Sequence, residues 1–338
     1  MTRLLNDGAE NGDGLFFEAG GVAVTSSTKR SGTYSYGSQG AFGANPTKYL
    51  ASGLSEFFIR FGDYFENVGG DAFTAIRFRQ GSTDAVTFWV GTDGYMHFNV
   101  GSDQKTTSNL VYTNTWHLLE MHVKIAASGI LELKFDGIAD TVWEGDTRGN
   151  SLTYINRLFW DSGSHLGSYP YHFFDDIALN DTYGSKDNSW CGDGHYTRVY
   201  PANNGAYSQW YGNDGDQTNN YLLEDEVPPD GDVTYVRADS SNAKDAYVVS
   251  GYVGTNKTIL RVIPEARARD YSALGQQMRV GYRFGGTDYM PSGFTTVGYN
   301  YQKVDGLQDI TLNPSGEIWD ETDLATNIQV VIEAGTIV

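Results

Sequence analysis

The sequence predicts an all-β chain, built as two successive antiparallel β-sandwich domains of jelly-roll type. Three observations carry that expectation. Short segments alternate apolar and polar residues with period two, the pattern of a strand with one dry and one wet face. Tight-turn sequences such as TDG, SG and DG fall between them. Helical periodicity is nearly absent, while aromatics reach 14% and glycines number 41, a mixture suited to pleated surfaces joined by turns.

The strands can be read in order. FTAIRFR sets Ile76 and Phe78 against Arg77 and Arg79. YMHFNV groups Met96, Phe98 and Val100. LLEMHVKI places Leu119, Met121, Val123 and Ile125 on one face, with Glu120, His122 and Lys124 on the other. In ILELKF, Leu131, Leu133 and Phe135 alternate with Glu132 and Lys134. Strands with one wet face must pair their dry faces with a second sheet, which makes a sandwich. The polar, glycine-bearing stretch DTYGSKDNSWCGDG at 181–194 marks a boundary, giving domains 1–183 and 184–338. Beyond it VTYVR, AYVVS, TILRVI and QMRVGYRF read as strands, and Pro228 and Pro229 rule out a central strand at their position. The tail offers one helical turn capped by Asp320 or Thr322 and a last strand around Ile328–Ile332.

A net charge of −19 argues against a nucleic-acid interface, which needs concentrated positive charge. The single cysteine, Cys191, excludes an intrachain disulfide and a thiolate zinc cluster. The opening MTRLLNDGAENGDG lacks the apolar core of a signal peptide, and no run of 18 apolar residues is present.

GVAVTSSTKRSGTYSYG (21–37), TWHLLEMHVKI (115–125), LELKFDG (131–137) and YHFFDDIALND (171–181) together resemble a laminin-G or concanavalin-A-like jelly roll. The full layout, with WCGDGHYTRVYPANNG and NPSGEIWDETDL, resembles structural proteins of tailed-phage virions of the tail, fibre or head-decoration type. The resemblance implies a homo-oligomer that contacts other virion proteins, made in host cytoplasm and carried in the virion. Jelly rolls bind glycans in some families and only proteins in others, so the fold leaves the task open.

Candidate sites follow from residue chemistry. Retaining glycosidases need two carboxylates about 5 Å apart, and no E-x-D-x-E string provides them here. Asp175 and Asp176 precede the closing strand. Neighbouring strand residues point to opposite faces, which disfavours a paired acid and base. For these two, and for Asp214 and Asp216 in NDGD, turn, hydrogen-bond or solvated-loop duty is the favoured reading, and oxygen ligation of calcium is the alternative. No other cofactor is implied. Cys191 and His195 lie close in sequence, but nothing supplies an orienting partner, so Cys191 reads as a packed residue. Tyr169 and Tyr171 flank Pro170, and Tyr207, Trp210 and Tyr211 lie in an amide-rich segment; such aromatics serve glycans, protein contacts or their own loops. The leading expectation is a non-enzymatic virion structural protein mediating assembly or display. The alternatives are a carbohydrate- or receptor-binding module for a host-surface glycan, and a glycan hydrolase.

Overall fold

The computed structural model describes residues 3–18, 22–37, 46–66, 73–160, 172–250, 252, 257–307 and 310–337. The chain divides into two compact units, Met1–Thr197 and Arg198–Val338.

The first unit holds fourteen strands: β1 (Arg3–Asp7), β2 (Ala23–Thr25), β3 (Ser35–Gly37), β4 (Thr47–Leu54), β5 (Glu56–Phe65), β6 (Phe73–Gln80) and β7 (Thr83–Val90). They continue as β8 (Tyr95–Val100), β9 (Asp103–Leu110), β10 (Trp116–Lys124), β11 (Gly129–Phe135), β12 (Ile138–Gly145), β13 (Ile155–Trp160) and β14 (His172–Asp181). One antiparallel sheet runs β12-β11-β10-β5-β14-β3-β2, with β1 also on β14. The second runs β4-β13-β6-β7-β8-β9. Their inner faces form the core. Phe57, Ile59, Phe61, Leu119, Met121 and Val123 line the first sheet, and Ile76, Phe78, Phe88, Phe98, Leu158 and Trp160 line the second. Edge-to-face rings run Phe78–Phe88–Phe98, with the closer pair 4.3 Å apart. The alternation read from the sequence therefore holds strand by strand.

The boundary lies later than residue 184 because residues 188–196 pack on the outer face of the first sheet. Gly192 donates its N–H to Glu120 (2.7 Å), and Arg60 donates to the Gly192 carbonyl (2.9 Å). The Tyr196 hydroxyl donates to Asn6 (2.7 Å), and Trp190 packs edge-on to Phe58 under Lys124's neighbour strand, with Lys134 3.9 Å above its ring. The stretch is polar because it satisfies a polar sheet face. Glu120 and His122, expected on a wet face, are consequently buried.

The second unit is also all-β. Its main sheet orders the strands Pro201–Ser208, Lys244–Val249, Ile328–Ala334, Gln277–Phe284 and Thr287–Tyr289. Two short ladders accompany it, Tyr211–Gly212 with Val236–Arg237 and Glu265–Ala268 with Gln302–Asp305. One core gathers Trp210, Tyr247, Met278, Val280 and Ile332; another gathers Tyr282, Ile310, Trp319, Leu324 and Ile328. TILRVI, expected as a strand, makes only an isolated bridge from Ile259 to Trp319, with Leu260 exposed. The tail has its helical turn at Asp323–Asn327, where Asp320 accepts from the Asp323 N–H (2.8 Å).

Candidate functional site

The outer face of the second sheet concentrates arginine and aromatic side chains. Because Phe78, Phe88, Phe98 and Leu158 turn inward, the alternate residues of the same strands turn outward. Register then lines them up across the sheet. One row runs Thr47, Phe159, Arg77, Thr87, Asn99 and Gln104. A neighbouring row runs Tyr49, Arg157, Arg79 and Asp84. A third holds Trp89, His97 and Thr106.

Three guanidinium groups converge on the Phe159 ring: Arg79 at 4.3 Å, Arg157 at 5.5 Å and Arg77 at 5.7 Å from its centroid. They cover the ring, which is why an outward phenylalanine is buried. Asp84 pairs with Arg77 (3.2 Å) and with Arg79. Arg157 differs. Its Nη2 donates a long bond to Thr47 Oγ1 (3.4 Å), and its buried Nε meets no acceptor among the described residues. It lies 5.3 Å from the Tyr49 ring, which is 48% exposed.

At the other end of the face Trp89 stacks on His97 at 4.2 Å and donates its indole N–H to Asn99 Oδ1 (3.0 Å). His97 Nε2 faces the Asp93 carboxylate (3.0 Å), so that nitrogen carries the proton. Its Nδ1 then accepts from Thr106 Oγ1 (2.9 Å) or Gln104 Nε2 (3.1 Å). The hydrogen bond from His97 holds the Asp93 carboxyl below its ordinary range. With both nitrogens engaged, the imidazole braces Trp89. Farther along β4 and β13 a shallow groove is lined by Leu50, Ser52, Gly53, Tyr154 and Asn156.

The residues singled out from the sequence lie elsewhere and do not converge. Asp175 and Asp176 do not point to opposite faces. A bulge between Asp175 and Ala178, with Asp176 at φ 52°, turns both carboxylates toward Arg30 and Ser31. Asp175 accepts the Arg30 and Ser31 N–H groups (3.0 and 3.2 Å). Asp176 accepts from Arg30 Nη1 and Ser31 Oγ (both 2.7 Å), the Tyr196 N–H (3.0 Å) and His195 (3.2 Å). Burial and the adjacent Asp176 charge push the Asp175 carboxyl up to about 8, whereas the bonds from His195, Ser31 and Arg30 outweigh burial and hold Asp176 low. The pair is a clasp joining the R-S-G segment to the closing strand.

Asp214 and Asp216 cap exposed turns, accepting the Asp216 and Thr218 N–H groups (3.3 and 2.7 Å). No group of three or more potential metal ligands occurs among the described residues. Trp210 is a core residue donating to the Ala243 carbonyl (3.0 Å). Tyr207 is engaged by Asp288 (2.9 Å) and Arg283 (3.0 Å), and Tyr211 sits in its short ladder. Tyr169 and Tyr171 lie outside the described residues. Cys191 is packed, its thiol pushed up to about 11 by burial. Sequence reasoning noted Arg77 and Arg79 as outward but missed Arg157, Phe159, Tyr49, Trp89 and Asn99. The available signal was INRLFW, a second strand alternating arginine and phenylalanine outward.

No protein-family model and no curated protein matches the chain. Solved structures do. An endo-β-1,4-glucuronan lyase from the fungus Trichoderma reesei aligns over 52% of this chain and 93% of its own, with 15% identity and a TM-score of 0.42. The cellulose-induced protein Cip1 aligns over 52% of this chain and 96% of its own, with 15% identity and a TM-score of 0.40. A Trypanosoma rangeli sialidase aligns over 51% of this chain but 30% of its own, with 9% identity and a TM-score of 0.36. The likeness is one of fold, a β-sandwich of the jelly-roll kind. The expectation of a non-enzymatic virion structural protein is corrected by these matches, which are to a lyase and a sialidase rather than to virion structural proteins. No helix among the described residues is long and apolar enough to cross a membrane.

Proposed function

We propose that the chain is a carbohydrate-active protein whose first unit takes an acidic polysaccharide, a chain of uronate sugars, on the outer face of its second sheet. The observation that carries this reading is Arg157, a guanidinium whose buried Nε meets no acceptor and which pairs with no carboxylate among the described residues, in a chain of net charge −19. Arg157 stands beside Arg77 and Arg79, which flank Asp84, and a guanidinium that meets no carboxylate among the described residues offers a place for an anion from outside. A guanidinium fork matches a carboxylate in two parallel bonds, which a neutral sugar does not offer. Tyr49 and Trp89 supply rings on which pyranose faces stack. Their strands are three spacings apart, roughly 14 Å across the sheet, enough for a short oligosaccharide. The Asn99 amide nitrogen, its oxygen held by Trp89, turns its N–H groups to sugar hydroxyls.

The clamp also favours cleavage by β-elimination. Neutralising the uronate acidifies the proton on the carbon next to the carboxylate. The Tyr49 side chain, whose ring lies 5.3 Å from the Arg157 guanidinium, is the general base for that proton. A carbon–carbon double bond forms as the neighbouring glycosidic C–O bond breaks, and Tyr49 passes the proton it took from carbon to the departing oxygen, so no further reagent is needed.

The test incubates the full chain with a polyuronate and with a neutral glucan, reading retardation in a glycan-containing gel and the ultraviolet absorbance of unsaturated ends. Salt-sensitive binding to the polyuronate alone supports the face, and unsaturated product lost in Tyr49→Phe supports the chemistry. Equal affinity for both polymers, or none for the polyuronate at low salt, overturns the reading.

A further inference from the structure

The second unit carries an aromatic ladder that its own folding leaves unused. The Arg267 guanidinium lies 4.3 Å from the Tyr301 ring, Arg269 lies 4.9 Å from the same ring and 5.2 Å from that of Tyr271, and Tyr271 lies 6.4 Å from Tyr299. Five planar groups thus follow one another in single file. The last two are open: Tyr271 is 76% and Tyr299 56% exposed.

The loops that present them are braced. Asp270 accepts N–H groups from Ser272 (2.9 Å), Gly275 (2.8 Å) and Gln276 (3.1 Å), and its own N–H donates to the Gly298 carbonyl (2.7 Å), tying the two loops together. Gln302 accepts from the Gly298 N–H (3.0 Å) and donates to the Thr296 carbonyl (3.1 Å). Although partial burial opposes it, the hydrogen bonds from Ser272, Gln276 and Gly275 hold the Asp270 carboxyl at about 2, so the brace persists across the ordinary pH range. Rings fixed in place before a ligand arrives lose little entropy when it binds.

We propose that this ladder is a second carbohydrate-contact site, taking a neutral polysaccharide across Tyr271 and Tyr299. Charge argues for a neutral occupant, because Asp232 already pairs with Arg269 (2.7 Å) and accepts from the Tyr301 hydroxyl (2.5 Å). Size argues against a protein partner. At roughly 150–250 Å² per aromatic ring, two tyrosines with the exposed Leu274 fall short of the ~800 Å² per side of a stable protein interface. Pyranose rings present C–H faces to stack on tyrosine, and two neighbouring exposed rings suit successive sugars of a polymer.

Affinity electrophoresis of the full chain in gels holding hydroxyethylcellulose, xylan, galactomannan or arabinan tests this directly. At least one neutral polymer should retard the wild type. Tyr271→Ala combined with Tyr299→Ala should lower that association at least tenfold, Tyr271→Phe should keep it, and Arg157→Ala should leave it unchanged. Circular dichroism of the double variant confirms that it is folded. Failure of all four polymers to retard the wild type overturns the proposal, as does undiminished retardation of the folded double variant. Concentration-dependent dimerisation abolished by the double variant would make the occupant a second copy of the chain, and overturns it equally.

Discussion

Replacing Arg157 by alanine tests the acidic-glycan face at its least compensated charge. The side chain makes one long bond, to Thr47, and stacks between Tyr49 and Phe159. Its removal therefore breaks no ion pair within the described residues and exposes part of Phe159, a fold cost of about 1 kcal/mol, typical of a single substitution. The loss on the ligand side is larger. A hydrogen bond to a charged group is worth about 1.5–3 kcal/mol, so polyuronate affinity should fall roughly 10- to 100-fold. Arg157→Lys keeps the charge but not the fork, and should lie between alanine and wild type. Asp84→Asn releases Arg77 and Arg79 from their shared carboxylate, and should tighten polyanion binding while steepening its salt dependence. Titration of the quenching of tryptophan fluorescence at two salt concentrations, with melting curves as the folding control, measures all three. If Arg157→Ala binds the polyuronate as tightly as wild type at low salt, the reasoning from the unpaired guanidinium is refuted.

Asp176→Ala should cost about 1–3 kcal/mol in urea denaturation, since it removes one of the two carboxylates on Arg30, leaving Asp193, and strips the Ser31 hydroxyl and the Tyr196 N–H of their acceptor. Phe88→Ala removes a fully buried ring between Phe78 and Phe98, and should cost about 3–5 kcal/mol by thermal melting of the first unit. Glu224 is raised to about 8, by burial first and then by the Glu226 and Asp245 charges. Its protonated form is favoured by folding, so its contribution to stability is full below about 4.5 and is lost as pH rises through about 8. Glu224→Gln should raise the denaturation midpoint at pH 8 and leave it unchanged at pH 4.5, and an equal change at both would contradict the assignment.

The parts of the fold legible in the sequence are those governed by neighbours two residues apart. FTAIRFR, YMHFNV and LLEMHVKI turn the faces their alternation implies, because a buried sheet face admits few polar side chains. Interactions between distant segments were not legible. Arg30 meets Asp176 across 146 positions, and the bulge with a left-handed Asp176 that lets both aspartates reach it leaves no mark on local periodicity. The same limit moved the boundary: 188–196 is polar like a linker, yet its polarity answers Glu120, Arg60 and Asn6 on a sheet. The candidate face was half visible. Arg77 and Arg79 read as outward, but only the register of β13 beside β6 shows that Arg157 and Phe159 complete the cluster. Trp210 misled because aromatic residues among glycines and asparagines look exposed, whereas its indole N–H finds Ala243 inside a core.

Hydrogen–deuterium exchange of the full chain with and without a uronate oligosaccharide tests most directly where an acidic glycan lies. Slowed exchange should map to β4, β13 and β6–β8, and should vanish in Arg157→Ala. Protection confined to the second unit, or to the outer face of the first sheet, would contradict the assignment of the cationic, aromatic face as the glycan site.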